Sequence, residues 1–178
     1  YSTVIVDVAG LTLEGPNAGT SGDSHSDDRA KVNAQVIIEA DETVIDGFTV
    51  SPPDPVDETA NAEAIRVSSG ADNVVVQNNI VEDFARNSGN DFFGVDGINL
   101  FGGNENDVVK NATVRDNLVQ RLQNDVSGGA AGISVQGNVD NPSVDENVVN
   151  NIGQEKTAYG FCVVVRGTGN HDVTPTGV

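Results

Sequence analysis

Apolar residues along this chain fall in short alternating runs, and three of those runs superpose residue for residue. They are Val76-Gln-Asn-Asn79-Ile-Val-Glu-Asp-Phe84, Val114-Arg-Asp-Asn117-Leu-Val-Gln-Arg-Leu122 and Val144-Asp-Glu-Asn147-Val-Val-Asn-Asn-Ile152, all of the form V-x-x-N-aliphatic-V-x-x-apolar. Before or after them stand four further matched runs that begin on a small residue: Ala64-Ile65-Arg-Val67, Gly97-Ile98-Asn-Leu100, Gly132-Ile133-Ser-Val135 and Gly160-Phe161-Cys-Val163. The runs are short, Val- and Ile-rich and punctuated by Gly, Asn and Asp, which predicts strands. No window carries apolar residues at i, i+3, i+4 and i+7 over three turns, so helices are not expected.

A looser pair upstream ends in Glu14-Gly15 and Asp46-Gly47. The series Gly15, Gly47, Asn79, Asn117, Asn147 is spaced by 32, 32, 38 and 30 residues. A period near 30 with variable excess marks a solenoid whose loops differ in length. On these residues the chain, from about residue 3 to 168, resembles the right-handed parallel β-helix proteins, the superfamily that includes pectate lyases, polygalacturonases and many repeat-bearing surface proteins. The expectation is an all-β domain over 1–178, about five to six coils with parallel sheets. In it Gly15, Gly47, Asn79, Asn117 and Asn147 form a ladder at one turn, since both residue types tolerate left-handed backbone and the amides can bond turn groups that no strand satisfies. Ile80, Leu118 and Val148, with Phe84, Leu122 and Ile152, are expected to line the lumen, each worth roughly 1.5–3 kcal/mol when fully buried.

Charge changes the picture of the surroundings. The chain has 27 acidic and 9 basic residues, a net charge of -18, and three of the basic residues are Lys. With no basic patch to neutralise phosphates, nucleic acid is excluded as a partner. The acid-rich, Lys-poor composition resembles proteins of halophilic archaea, for which multimolar salt screens like charges. There is no Met, and the chain stops just after a partial coil, so it reads as an excised or processed piece with ends able to stack on a neighbouring β-helix. It contains no run long enough for a membrane helix. The sequon Asn111-Ala-Thr113 points to glycosylation at Asn111 and to an extracellular or cell-surface protein, while the lone Cys162, unable to form an internal disulfide, reads as an ordinary strand residue.

Chemistry is less legible. The resemblance implies activity on acidic polysaccharides through carboxylates on one sheet, with calcium or as an acid–base pair. The polygalacturonase signatures are missing, however, and Asp27-Asp28 lies in a polar loop. The outward positions of the matched runs read Arg66, Asn99, Ser134 and Cys162, without a carboxylate column. The best remaining segment is 85–96, where Phe92 and Phe93 could stack on a sugar, Arg86, Asp91 and Asp96 are catalytic candidates, and Asp91 and Asp96 could hold calcium. Asp107, in Gly102-Gly-Asn-Glu-Asn-Asp107, is a further calcium candidate by its partial match to a calcium-binding nonapeptide. His25 and His171 read as solvated. The expected function is a non-catalytic, high-salt, extracellular or cell-surface module requiring no cofactor; the alternative is a polysaccharide lyase, glycoside hydrolase or epimerase.

Overall fold

A computed structural model describes residues 3–25, 30–53, 62–86, 94–103, 106–124, 128–153 and 159–166. The chain winds as a parallel β-solenoid with three stacked sheets of five or six strands and a short fourth one that pairs Val109–Lys110 with Val139–Asp140. Sheet 1 contains Thr3–Val6, Gln35–Ile38, Ala62–Val67, Val95–Phe101, Gly129–Gln136 and Tyr159–Arg166; sheet 2 contains Thr12–Glu14, Val44–Asp46, Val75–Gln77, Thr113–Arg115 and Ser143–Asp145. Sheet 3 contains Lys31–Val32, Thr49–Val50, Ile80–Arg86, Leu118–Asn124 and Val148–Ile152. The winding amounts to about four turns, fewer than the five to six coils expected from the sequence, although the three long sheets hold five or six strands each.

The lumen is filled by columns of like residues held in register. Ile65, Ile98 and Ile133 are paired across sheet 1, as are Val67, Leu100 and Val135, and all are buried. Across sheet 3, Phe84 and Leu122 close the core beneath Val81 and Val119. Ile80, Leu118 and Val148, expected in the lumen, belong instead to the outward column of sheet 3. Because the ladder Asn occupies the preceding inward position, alternation turns the next residue out, and Val81, Val119 and Val149 are the ones that join the core. Ile80 is still buried, and Gly22 of the first-coil loop sits against the Asn79 carbonyl and the Leu118 amide of that column.

The inner ladder lies at the corner between sheets 2 and 3. The Asn79 amide nitrogen donates to the Ile45 and Gln77 carbonyls at 3.0 and 2.7 Å. Its backbone N–H donates to Asn117 Oδ1 at 2.9 Å, and the Asn117 N–H to Asn147 Oδ1 at 3.0 Å. Asn117 Nδ2 donates to Val76 O, Arg115 O and Asn147 Oδ1. Gly15 and Gly47, expected in this ladder, stand one position earlier. The register puts Asp46 opposite Gln77 and Glu14 opposite Asp46, so Gly47 matches Asn78 and Phe48 matches Asn79. Asn78, Asp116 and Glu146 share with Gly47 the left-handed backbone that turns the corner, with φ between 51° and 78°. The Phe48 N–H then begins the ladder by donating to Asn79 Oδ1 at 3.0 Å.

A second ladder, on the outside, joins the corner between sheets 1 and 2. Asn73, Asn111 and Asn141 are each left-handed, and Asn111 donates to Asn73 Oδ1 at 3.1 Å while Asn141 donates to Asn111 Oδ1 at 2.9 Å. The sequon residue Asn111 is therefore exposed and already a turn former.

The two ladders predict different sensitivities. Asn117→Ala should cost about 3–5 kcal/mol, because it strands a buried N–H and several buried carbonyls. Asn111→Ala should cost about 1–2 kcal/mol, chiefly the left-handed penalty that the short polar side chain of Asn offsets by local hydrogen bonding and Ala cannot. Urea unfolding at fixed salt would measure both; equal losses would contradict the distinction between a buried and an exposed ladder.

Candidate functional site

The outward face of sheet 1 carries the chemistry, and a bend in its strands creates it. Gly97 and Ile98 both face inward: a Cβ on Gly97 would meet Val119 Cγ1 at 2.6 Å and Leu122 Cδ1 at 3.0 Å, and Ile98 is in the core. Ala64-Ile65 and Gly132-Ile133 repeat the arrangement in register. Two consecutive inward residues space the outward ones three apart, so Glu63 and Arg66 share a face, as do Asp96 and Asn99, and Ala131 and Ser134. The outward columns are then Glu63, Asp96, Ala131 and Phe161; Arg66, Asn99, Ser134 and Val164; and Phe101, Gln136 and Arg166.

Glu63 and Asp96 are thus direct cross-strand neighbours, each 3 % exposed. Asn99 Nδ2 donates to Glu63 Oε1 at 2.5 Å, and Arg66 lies 3.4 Å from Glu63 Oε2 with its guanidinium over the Phe101 ring, 4.2 Å from the centroid. Gln136 Nε2 donates to Asp96 Oδ2 at 3.0 Å and to Ser134 Oγ at 3.3 Å. Burial raises the pKa of Asp96 to about 7, helped by the charge of Glu63 and opposed by Arg166, Ser134 and Gln136. Glu63 is also raised by burial, but Arg66 and Asn99 work against the shift. The pair can therefore hold one proton near neutrality, with Asp96 as its preferred seat and Glu63 as the ionised partner. Arg66 Nε and Asn99 Oδ1 are buried without a hydrogen-bond partner.

Of the residues singled out in the sequence, Asp96 is at this centre and Arg86 ends a sheet 3 strand. Asp91, Phe92 and Phe93 lie outside the described residues, as do Asp27, Asp28 and His171. Asp107 is exposed in a turn closed by the Gly103 N–H donating to its carbonyl at 2.7 Å. Among the described residues no group of three or more His, Cys, Asp or Glu is placed to hold a metal ion. The expectation that sheet 1 lacks a carboxylate column is corrected by Glu63 and Asp96, and Cys162 is not in the outward series. Ser134 pairs with Val164, while Cys162 faces the lumen side with Sγ 3.9 Å from the Val149 carbonyl. Phe161, placed by the sequence pattern opposite Ile133, pairs instead with Ala131 and faces out. The signal for the pair was present one position upstream of the matched runs, in Glu63-Ala-Ile and Asp96-Gly-Ile. His25, expected to be solvated, is half-buried, its Nε2 2.6 Å from the Asn78 carbonyl.

Sheet 3 has a second charged group on its outer face. Arg121 binds Glu82 at 2.7 Å and Asp83 at 2.5 Å, and Gln120 donates to Glu82 at 3.0 Å. The Arg121 hydrogen bond holds the Asp83 carboxyl below its ordinary range. This cluster links two coils and is internally satisfied, unlike the sheet 1 site.

The chain matches no protein-family model, no curated protein and no solved structure.

Asp96 sets a pH dependence. Its folded pKa, about 7, lies above the ordinary carboxyl value of 3.8, so the folded chain holds the extra proton between those limits and its stability falls as pH rises through that window. Asp96→Asn keeps an oxygen for Gln136 and offers Glu63 an N–H. The variant should gain stability relative to the native chain from pH 4 to pH 8, by on the order of 2–4 kcal/mol at the upper end. Thermal melts at pH 4, 6 and 8 in constant salt check this, and a difference independent of pH would refute it.

Proposed function

We propose that this chain is a non-catalytic segment of an extracellular or cell-surface solenoid that works at high salt and extends by stacking on further coils. The observation that carries this reading is the direction of its polar contacts. On the outer face of sheet 2 Gln77 donates to Asp46 and Arg115 to Gln77, at 2.8 and 2.6 Å, and on sheet 3 Arg121 and Gln120 reach Glu82. At the turns Lys110 N–H donates to Asp72 Oδ1 and Asp72 N–H to Asp41 Oδ1. These side chains bond along the solenoid axis from one coil to the next, which suits a part that resists extension and shear.

Both edges of sheet 1 continue the lumen columns. Val4 stands in the column of Ile65 and Val163, and Val6 in that of Val67 and Val165. Val4, Val163 and Val165 are 41 %, 43 % and 43 % exposed, so another coil placed on either edge would extend columns already built. The net charge of -18 supports the high-salt setting, since close carboxylates repel least when the screening length is short.

Glycan processing is a second reading, and the Glu63–Asp96 pair favours it. A carboxyl group that keeps its proton near pH 7 beside an ionised one is the equipment of general acid–base cleavage.

For the first reading, the melting temperature should climb as KCl rises from about 0.1 M to several molar, where the Debye length falls below about 3 Å. Sedimentation in high salt should show association that Val163→Asp abolishes. A salt-independent melt together with a strict monomer would sink it. For the second, turnover of polysaccharide in high salt should vanish in Glu63→Gln, and no turnover by the native chain would end that reading.

A further inference from the structure

In the second to fifth coils two residues join sheet 2 to sheet 3, whereas in the first coil residues 15–30 do. Residues 15–25 of that connection are a succession of tight turns, closed by the Ala18 N–H donating to Gly15 O, Thr20 N–H to Asn17 O and Ser24 N–H to Ser21 O at 2.8–3.1 Å. They leave the first coil and run along the solenoid axis. Gly19 N–H donates to Asp46 Oδ1 in the second coil at 3.1 Å, and the same oxygen accepts Asn78 Nδ2 of the third at 2.8 Å. Gly22 N–H and Ser21 Oγ donate to the Asp116 carbonyl of the fourth coil at 2.8 and 3.4 Å. His25 then returns to the third coil, where its Nε2 lies 2.6 Å from the Asn78 carbonyl; a carbonyl only accepts, so this nitrogen is the donor. Gly22 sets the closeness of the fit. It is buried, and a Cβ on it would lie 2.5 Å from the backbone of both Asn79 and Leu118.

In a solenoid each coil touches its neighbours, so stability is close to a sum of nearest-neighbour contributions and an end coil parts first. The first coil is weakly held by its own strands. Val4, Ile5 and Val8 are exposed, and Thr12–Glu14 buries only Leu13, in part. Parting that coil from the second would nevertheless carry Ser21, Gly22 and His25 away and strip these donors from carbonyls 53 and 95 residues distant. The weakest coil is thereby tied to the fourth, which nearest-neighbour stacking alone does not do. The corner is closed along the loop and open past it: Asn78 is buried, Asp116 half-buried and Glu146 exposed.

We propose that residues 15–25 are an axial clasp that makes the first four coils open as one unit and leaves the fifth outside it. The inference is independent of whether further coils or a glycan bind. Four amides in one column report the coils. Val44 N–H donates to Leu11 O, Val75 to Thr43 O, Thr113 to Val74 O and Ser143 to Ala112 O, all at 2.8–2.9 Å, so each is freed when its coil parts from the one before. Residue-resolved hydrogen exchange of the whole chain in high salt is the test. In the native chain Val44, Val75 and Thr113 should share one opening constant within about threefold. Gly10→Ala loosens the first coil without touching the clasp, since Gly10 is left-handed (φ 71°) with nothing within 4 Å of an added Cβ. It should speed exchange at Val44, Val75 and Thr113 together and spare Ser143. Gly22→Ala lifts the clasp from its backbone seat and should speed Val44 about tenfold or more relative to Thr113, with far-ultraviolet circular dichroism unchanged. His25→Ala takes its place if that variant does not fold. The proposal is overturned if Val44 exchanges about tenfold faster than Thr113 in the native chain, or if Val44 alone answers Gly10→Ala. A Ser143 response equal to the other three, or a Val44 to Thr113 ratio unmoved by the clasp variant, overturns it as well.

Discussion

The corner between sheets 2 and 3 is the constraint on which the other features depend. A chain that turns there through a left-handed residue points backbone N–H and C=O groups inward, where neither water nor a strand partner reaches them, and such groups are seldom left unpaired in folded proteins. An inward Asn answers both needs at once. Its amide nitrogen reaches two carbonyls, as Asn147 reaches Val114 and Asp145, and its oxygen accepts the N–H of the coil below. Each Asn therefore works only if another residue occupies the same place one coil away. That requirement locks the corner in register, leaving length differences to be absorbed elsewhere, which is how spacings of 38 and 30 residues coexist in one regular stack.

Where the ladder stops, other parts take over. Phe48 stands at the ladder position of its coil and contributes only its N–H, with a half-buried ring packed on the core. The first-coil loop compensates by lying along the same corner. Gly19 N–H donates to Asp46 Oδ1 at 3.1 Å, Gly22 N–H to the Asp116 carbonyl at 2.8 Å, and His25 meets Asn78. Gly22 can approach because a Cβ there would strike the Asn79 carbonyl and the Leu118 amide at 2.5 Å. A polar loop thus brackets three later coils along the corner that flanks Ile80, a buried apolar side chain that the ladder has turned outward.

That exchange explains what could be read from the sequence. The solenoid, its sheets and the columns through Ile65, Ile98 and Ile133 follow from period and alternation, and so does the inner Asn series. Errors arise where alternation breaks. Gly15 and Gly47 superpose on Asn by chemistry, since both tolerate positive φ, yet the strand register assigns them to the turn position before it. Cys162 and Phe161 are displaced because Gly160 resembles Gly132, whereas the pairing sets Gly160 against Ala130. Glu63 escapes notice because a count by twos from Arg66 passes over it. The outer series Asn73, Asn111, Asn141 was equally regular in sequence, but lies among exposed turn residues where Asn is ordinary.

The same bend separates the site from the scaffold. On sheets 2 and 3 the outward side chains of Gln77, Arg115, Gln120 and Arg121 find partners one coil away, and their chemistry is consumed there. In sheet 1 the doubled inward positions draw Glu63 and Arg66, and likewise Asp96 and Asn99, onto one face three residues apart, while Ile5 and Ile37 occupy the equivalent of Arg66 in the first two coils. The polar patch is accordingly confined to the middle coils. Two carboxylates placed side by side and buried work against stability unless something else maintains them, because each raises the cost of ionising the other. Arg66 and Asn99 offset part of that cost at Glu63, yet both retain an unpaired buried atom that a purely structural solution would have removed, as Arg121 does for Glu82 and Asp83. The contrast between a satisfied cluster on sheet 3 and an unsatisfied one on sheet 1, built in the same coils from the same residue types, is what distinguishes a site from a brace.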